Sequence, residues 1–216
     1  MSQLIVFGAA YSVYVRAVRL TLVEKQVAYR LQEVDIFAPG GPPADYLARQ
    51  PFGRIPAFEH DGFTLYETTA ITRYVDEAFD GPRLQPEDAM QRARMNQIIG
   101  ILDSYAYRTL IWDIYVERVD APREGRAADE TKIAAALPRA RICLDELTRL
   151  MGRAPFLAGD ALNLADLHAA PMFAYFLAAP EGAAMLAERP ALAGWWRRMA
   201  ARPGMTATRP SLNSIA

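Results

Sequence analysis

The stretch from Gln50 to Asp76, QPFGRIPAFEHDGFTLYETTAITRYVD, carries two patterns that can hold a small polar ligand. In the first, Ile55-Pro56 opens the short run Ala57, Phe58, Glu59 just after the turn residues Pro51 and Gly53. A proline at the mouth of a strand cannot donate to the ladder, so it belongs at an edge or first position, and the bond before it is a candidate cis peptide. That geometry turns the Ile55 N–H and C=O outward, where an extended peptide can pair with them as an added strand. In the second, Glu67 and Thr68 precede Ile71, Tyr74, Val75 and Phe79 at helical spacing, which puts Thr68 at or next to the helix N-cap. Free N–H groups and the positive end of the helix favour a carboxylate there, the threonine hydroxyl adds a donor, and Glu67 can hold an ammonium. A group with an amine and a carboxylate on one carbon suits that pair. The same residues also read as an ordinary capped helix after an ordinary hairpin.

These positions must be set by the elements around them. The turn pair Asp61-Gly62 between Phe58-Glu59 and Phe63-Thr64-Leu65 predicts a β-hairpin. Upstream, Gln3 to Phe7 reads as an apolar strand, Ser12 to Lys25 as a helix with Val15, Val18, Leu22 and Val23 at helical spacing, and Ala28 to Val34 as a returning strand. Such a crossover is right-handed with parallel strands. A Pro/Gly loop, Phe37 to Pro43, leads to a short helix near Ala44 to Arg49. The order β-α-β-α-β-β-α is that of a thioredoxin-like α/β domain, expected over residues 1–80. The aperiodic DGPRLQP marks a linker at residues 81–87, and an all-helical domain is expected over 88–216.

In the helical part, Met95, Ile98, Ile99, Leu102, Tyr105 and Tyr107 sustain one pattern, continued with a bend through Leu110, Trp112, Ile114 and Tyr115. Ala121 to Asp129 reads as a polar connection, and the helix that follows to Met151 should kink or restart at Pro138. Asn163 and Asp166 have capping-box spacing, with Leu162 and Leu167 as the staple; their role is structural. A last helix is expected over Ala191 to Ala201.

Composition removes several classes of function. Lys plus Arg total 24 against 25 for Asp plus Glu, a formal charge of −1, so no global field recommends a nucleic acid or an anionic membrane as partner. Residues Met1 to Lys25 have no signal-peptide layout and no stretch is long enough to span a bilayer, so the cytoplasm is the expected location. The single cysteine, Cys143, excludes a Cys-x-x-Cys pair and sits in a helical pattern as a small buried hydrophobe. The two histidines, His60 and His168, are far apart in sequence and predict no metal site.

The segments PFGRIPAF (Pro51 to Phe58) and LYETTAI (Leu65 to Ile71), with the capping box and the first-helix pattern, resemble the cytosolic glutathione transferase family over nearly the whole chain. The likeness is to a serine-type, phi- or theta-like bacterial member. It implies a glutathione-binding thioredoxin-like domain and an all-helical domain, a homodimer, and glutathione as cosubstrate with no cofactor or metal. Ile55 and Pro56 would face the cysteinyl unit, and Glu67 and Thr68 the γ-glutamyl amine and carboxylate. By similarity to serine-type members, Ser12 is the thiolate donor, with Tyr11 and Tyr14 as alternatives; Arg16, one turn on, either reinforces the anionic site or is a solvated helix arginine. Val13 replaces the proline that follows the serine in phi-like members. The His-Lys pair those members use for the glycine carboxylate is absent from FAPGGPP, and Arg54, at the place of a family glutamine, is the substitute cation. Phe37, Tyr105, Tyr107 and Trp112, with the aromatics near Met172 to Phe176, are candidates to line an apolar cleft between domains for a small hydrophobic electrophile. The implied activity is conjugation of that electrophile, with peroxide reduction as a further possibility. A glutathione-dependent isomerase and a noncatalytic ligand-binding or protein-interaction module are the rival readings.

Overall fold

The computed structural model describes residues 3–210; residues 1–2 and 211–216 of the expected domains lie outside the described residues. One sheet has the order β2-β1-β3-β4, with β1 at Leu4–Phe7, β2 at Arg30–Gln32, β3 at Ala57–His60 and β4 at Phe63–Tyr66. β1 is buried at every position, as befits a central strand, and pairs in parallel with β2 and antiparallel with β3. Helix α1 (Val13–Glu24) bridges the parallel pair, and its Val15, Val18 and Leu22 join Val6, Phe58, Ile71 and Val75 in one core. Helices α2 (Ala44–Leu47) and α3 (Thr68–Ala78) complete the thioredoxin-like order. Asp61 and Gly62 close the hairpin with φ of 48° and 86°, the positive angles that match strand twist in a two-residue turn.

Behind the sheet, the buried Lys25 Nζ lies 3.4 Å from Asp76 Oδ1 and donates to the carbonyls of Asp76 and Pro82 at 3.0 and 3.2 Å. The carbonyls satisfy the remaining ammonium protons, as a buried ion pair requires.

The chain divides into two compact units: one runs up to Arg83 and includes the segment from Pro203, the other is Leu84–Arg202. Leu84, expected in the linker, is buried, and its carbonyl accepts the Leu164 N–H at 2.9 Å. The helical domain was expected to run to residue 216, whereas a short helix, Pro203–Ala207, packs on α1. Gly204 permits this: a Cβ there would meet Leu20 Cδ2 at 3.2 Å and Val23 Cγ1 at 3.4 Å.

The second unit is all helical. Its first helix, α4 (Ala89–Ile101), is capped by Asp88 and continues through Leu102–Asp120 in wider π-type turns before α5 (Ala121–Arg123). The Ala121 N–H reaches back five residues to the Val116 carbonyl, so the expected bend is taken up by widening of the helix. Helix α6 (Glu130–Met151) runs through Pro138 as one element; burial of Ile133, Ala136, Ala140, Cys143, Leu144 and Leu147 outweighs the roughly 3 kcal/mol such a proline costs. Helices α7 (Leu164–Phe176), α8 (Pro180–Ala187) and α9 (Pro190–Ala200) follow, with Pro203–Ala207 as α10. Met172, Phe173 and Phe176 are fully buried, and the Phe173 ring lies 4.9 Å from that of Trp195, so these three belong to the core, while Tyr175 is half-buried with its ring 4.8 Å from that of Tyr115.

Candidate functional site

Sheet register brings three loops to one end of the first unit. Phe7 closes β1 opposite Ala57, and Ala57 opens β3 opposite Tyr66, the last residue of β4. The loop from Gly8 to Ser12, the Ile55-Pro56 pair and the Glu67-Thr68 pair therefore leave the sheet together. Gly8, at φ 147°, allows the approach: a Cβ there would sit 2.5 Å from Val15 Cγ2 and 3.1 Å from Ile55 Cβ. No side chain fits between the first turn of α1 and Ile55.

The Ile55-Pro56 bond is cis. Among the described residues the Ile55 N–H and C=O have no hydrogen-bond partner, while its side chain is buried in the core. The turn before it is held by two residues that local sequence signals do not single out. Gln50, 2% exposed, accepts the Arg54 N–H through Oε1 at 3.1 Å, and the Tyr46 hydroxyl donates to the Arg54 carbonyl. Burial raises the Tyr46 pKa, which keeps that hydroxyl a donor. The signal for Gln50 was its place just before Pro51, where a buried amide can organise a turn; nothing in the sequence says it points inward.

The Arg54 side chain is exposed and has no partner among the described residues. Arg49, by contrast, is paired with Glu59 and lies over the Phe7 ring, 4.7 Å from its centroid. Of these two arginines only Arg54 offers its charge to a ligand.

Glu67 is the N-cap of α3 and has φ 70° and ψ 115°, a conformation that costs a non-glycine residue about 1–3 kcal/mol. Its carbonyl accepts the Ile71 N–H at 3.0 Å, yet no side chain caps the helix. The N–H groups of the first turn are thus available to an anion. Among the described residues the Glu67 carboxylate and the Thr68 hydroxyl have no partner; Glu67 is exposed, and Thr68 is 7% exposed.

Ser12 is the N-cap of α1, half-buried, and its Oγ accepts the Val15 N–H at 3.4 Å. That leaves its own O–H without an acceptor among the described residues. Tyr11 is engaged: its hydroxyl donates to Asp35 Oδ1 at 3.2 Å and its ring stacks on Phe37 at 6.3 Å. Tyr14 is half-buried on α1. Arg16 follows neither expectation. It is 4% exposed, and its guanidinium donates to the Met205 carbonyl and the Thr208 hydroxyl. Arginine reads as a surface residue in an isolated helix, and only the returning C-terminal segment buries it.

Of the candidates for apolar contacts, Phe37 is 63% exposed and Tyr105 65% exposed, on different units, while Tyr107 and Trp112 are half-buried in the second. His60 Nδ1 lies 2.8 Å from the Tyr74 hydroxyl, and the buried His168 Nε2 lies 2.7 Å from Asp103 Oδ1. No group of three His, Cys, Asp or Glu among the described residues could hold a metal ion.

At α7, Asp166 Oδ2 accepts the Asn163 N–H at 2.9 Å and Oδ1 accepts the Leu157 N–H and Trp195 Nε1–H, both at 2.8 Å. The Asn163 Oδ1 in turn accepts the Ala165 N–H at 3.1 Å. Complete burial pushes the Asp166 carboxyl up to about 6 against the pull of these donors.

Residues 6–83 match the glutathione S-transferase N-terminal domain and residues 99–203 the glutathione S-transferase C-terminal domain. Glutathione S-transferase F10 of Arabidopsis thaliana is 30% identical over 92% of the chain and 93% of its own length. Glutathione S-transferase F13 of the same plant is 28% identical over 95% and 94%. The crystal structure of glutathione transferase F7 from Populus trichocarpa superposes with a TM-score of 0.83 at 30% identity, covering 99% of both chains. With two family domains matched in order and relatives aligned over nearly their full lengths, the chain belongs to the glutathione S-transferase family.

Proposed function

We propose that this chain conjugates glutathione to small apolar electrophiles, with Ser12 stabilising the thiolate. The observation that carries the reading is the convergence, at one end of the sheet, of the free Ile55 backbone, the uncapped start of α3 and the Ser12 hydroxyl. Each matches one part of the tripeptide. The Glu67 carboxylate takes the γ-glutamyl ammonium, while Thr68 Oγ1 and the first-turn N–H groups take the γ-glutamyl carboxylate. The Ile55 N–H and C=O pair with the cysteinyl backbone. Arg54 takes the glycine carboxylate in place of the His-Lys pair.

A free thiol titrates near 8.5, and lowering it by about two units requires roughly 2.7 kcal/mol of preferential anion stabilisation. One charged hydrogen bond from Ser12 plus the start of α1 is of that order. Ser12 is favoured over Tyr11 because the tyrosine hydroxyl is already donated to Asp35. The thiolate then forms a C–S bond at the electrophilic carbon, whose displaced electron pair leaves with a leaving group or takes a proton from water. Phe37, Tyr105, Tyr107 and Trp112 remain the proposed apolar contacts. We read the protein as cytoplasmic and as a homodimer; the exposed Phe52 and Tyr66, with ring centroids 6.0 Å apart, support the dimer as apolar surface for a second copy.

The test is a titration with glutathione from about pH 5 to pH 9, following thiolate absorbance and heat of binding together. Binding with a thiol pKa well below its free value supports the catalytic reading. Binding with an unshifted pKa favours the noncatalytic module, and absence of binding removes glutathione from the site altogether.

A further inference from the structure

Helix α1 carries Ser12 at its start and is held from behind by the segment from Pro203 to Thr208. The Arg16 N–H donates to the Ser12 carbonyl at 2.9 Å, closing the first turn, and the Arg16 side chain runs to the C-terminal segment. There its Nη2 donates to the Met205 carbonyl at 2.7 Å and its Nε to Thr208 Oγ1 at 3.2 Å. Thr208 is itself fully buried, and its hydroxyl donates a hydrogen bond to the Gly204 carbonyl at 2.8 Å. One turn along α1, Arg19 Nη1 reaches the Thr208 carbonyl at 3.4 Å, and its Nε donates to the Tyr29 hydroxyl at 2.9 Å. Gly204 sits close against Leu20 and Val23. The segment from Pro203 to Thr208 thus grips one face of α1 at three successive levels.

We propose that Arg16 and Thr208 are positioning residues for the thiolate donor, and that the C-terminal segment sets the placement of the Ser12 hydroxyl through the first turn of α1. The inference rests on the proposed role of Ser12. A guanidinium fixed by two acceptors leaves α1 little freedom to rotate or slide, and Ser12 lies only about 6 Å along the axis from Arg16 at 1.5 Å per residue. A hydrogen bond to a thiolate weakens steeply with misalignment, so a small displacement of α1 costs thiolate before it costs glutathione binding. The groups proposed to bind glutathione, Arg54, Ile55, Glu67 and Thr68, lie on other elements and keep their hold.

The experiment compares Thr208→Val, nearly isosteric but without the hydroxyl, with Thr208→Ser, which keeps it. For Thr208→Val the bound glutathione thiol pKa should rise by about half a unit, roughly a threefold loss of thiolate at about pH 5, well below that pKa, with the glutathione KM within about twofold of the parent. Thr208→Ser should restore the parent pKa. A lowered Tm with an unmoved thiol pKa would overturn the inference, because a purely structural contact does only that. The same comparison in a Ser12→Ala background separates the two claims. If Ser12→Ala alone raises the pKa and Thr208→Val then adds nothing, the segment acts through Ser12. If Thr208→Val shifts the pKa equally in both backgrounds, the inference fails while Ser12 keeps its role. If Ser12→Ala leaves the pKa unchanged, the role of Ser12 fails and the positioning of it fails with it.

Discussion

Helices α3 and α7 each begin beside an acidic residue, and the two starts are built in opposite ways. At α7 the Asp166 carboxylate is fully buried and accepts three N–H donors, and Asn163 supplies the reciprocal cap. At α3 the Glu67 carboxylate is exposed, no side chain caps the helix, and the backbone at Glu67 is held at positive φ. The first arrangement spends a carboxylate on the fold. The second leaves a carboxylate and several N–H groups unmatched at a conformational cost, a pattern that makes sense where a ligand completes it. Satisfied against unsatisfied polar groups therefore distinguishes the structural helix start of α7 from the proposed binding start of α3, although both begin with a similar sequence signal.

The largest expected effect breaks the α7 side of the contrast. Asp166→Ala leaves three buried donors without an acceptor and should destabilise the protein by about 3–5 kcal/mol, measured by denaturant unfolding, while folded protein keeps its glutathione affinity. Next, Glu67→Ala should weaken glutathione binding by about 2–4 kcal/mol in calorimetry with no loss of stability. An unchanged dissociation constant would take Glu67 out of the site. A third, comparable effect is in pH. The folded Asp166 value of about 6 lies above the unfolded value of about 3.9, so between them the folded state binds the extra proton. This contribution favours the fold at low pH and is lost as pH rises through about 6. Relative to Asp166→Asn, the parent should lose roughly 3 kcal/mol of unfolding free energy between about pH 4 and pH 7. A difference independent of pH would mean that the N–H donors outweigh burial. The smallest effect falls on α1, whose cap is both structural and proposed to be chemical. Ser12→Ala should cost about 1 kcal/mol of stability and raise the bound thiol pKa, with affinity nearly unchanged. An unshifted pH–rate profile would move the thiolate donor to Tyr11 or Tyr14.

Much of the first unit was legible because its signals are local. Asp61-Gly62 demands a two-residue turn, Ile55-Pro56 must stand at a strand mouth, and the apolar period of α1 names its buried face. What was not legible depends on segments remote in sequence. Nothing near Arg16 announces that residues 205 and 208 will bury it. The aromatics around Phe173 look the same whether they face a ligand or Trp195. Pro138 reads as a break until the apolar face of α6 is packed, whereas the cap of α3 at Glu67, beside Thr68, lies where the local pattern puts it. For the site, residue types in the Gln50 to Asp76 block pointed to the ligand class, whereas Gln50 and Tyr46, which hold its turn, gave no sign in their spacing.

The missing side chain at Gly8 has a mechanical meaning. With Val15 on one side and Ile55 on the other, a single methyl would act as a wedge, prising the start of α1 from the Ile55-Pro56 segment. The proposed thiol donor and the proposed peptide-pairing backbone therefore share one hinge point. The distance between the two halves is set at Gly8, a position that sequence change cannot refill without parting the donor from the peptide-pairing backbone.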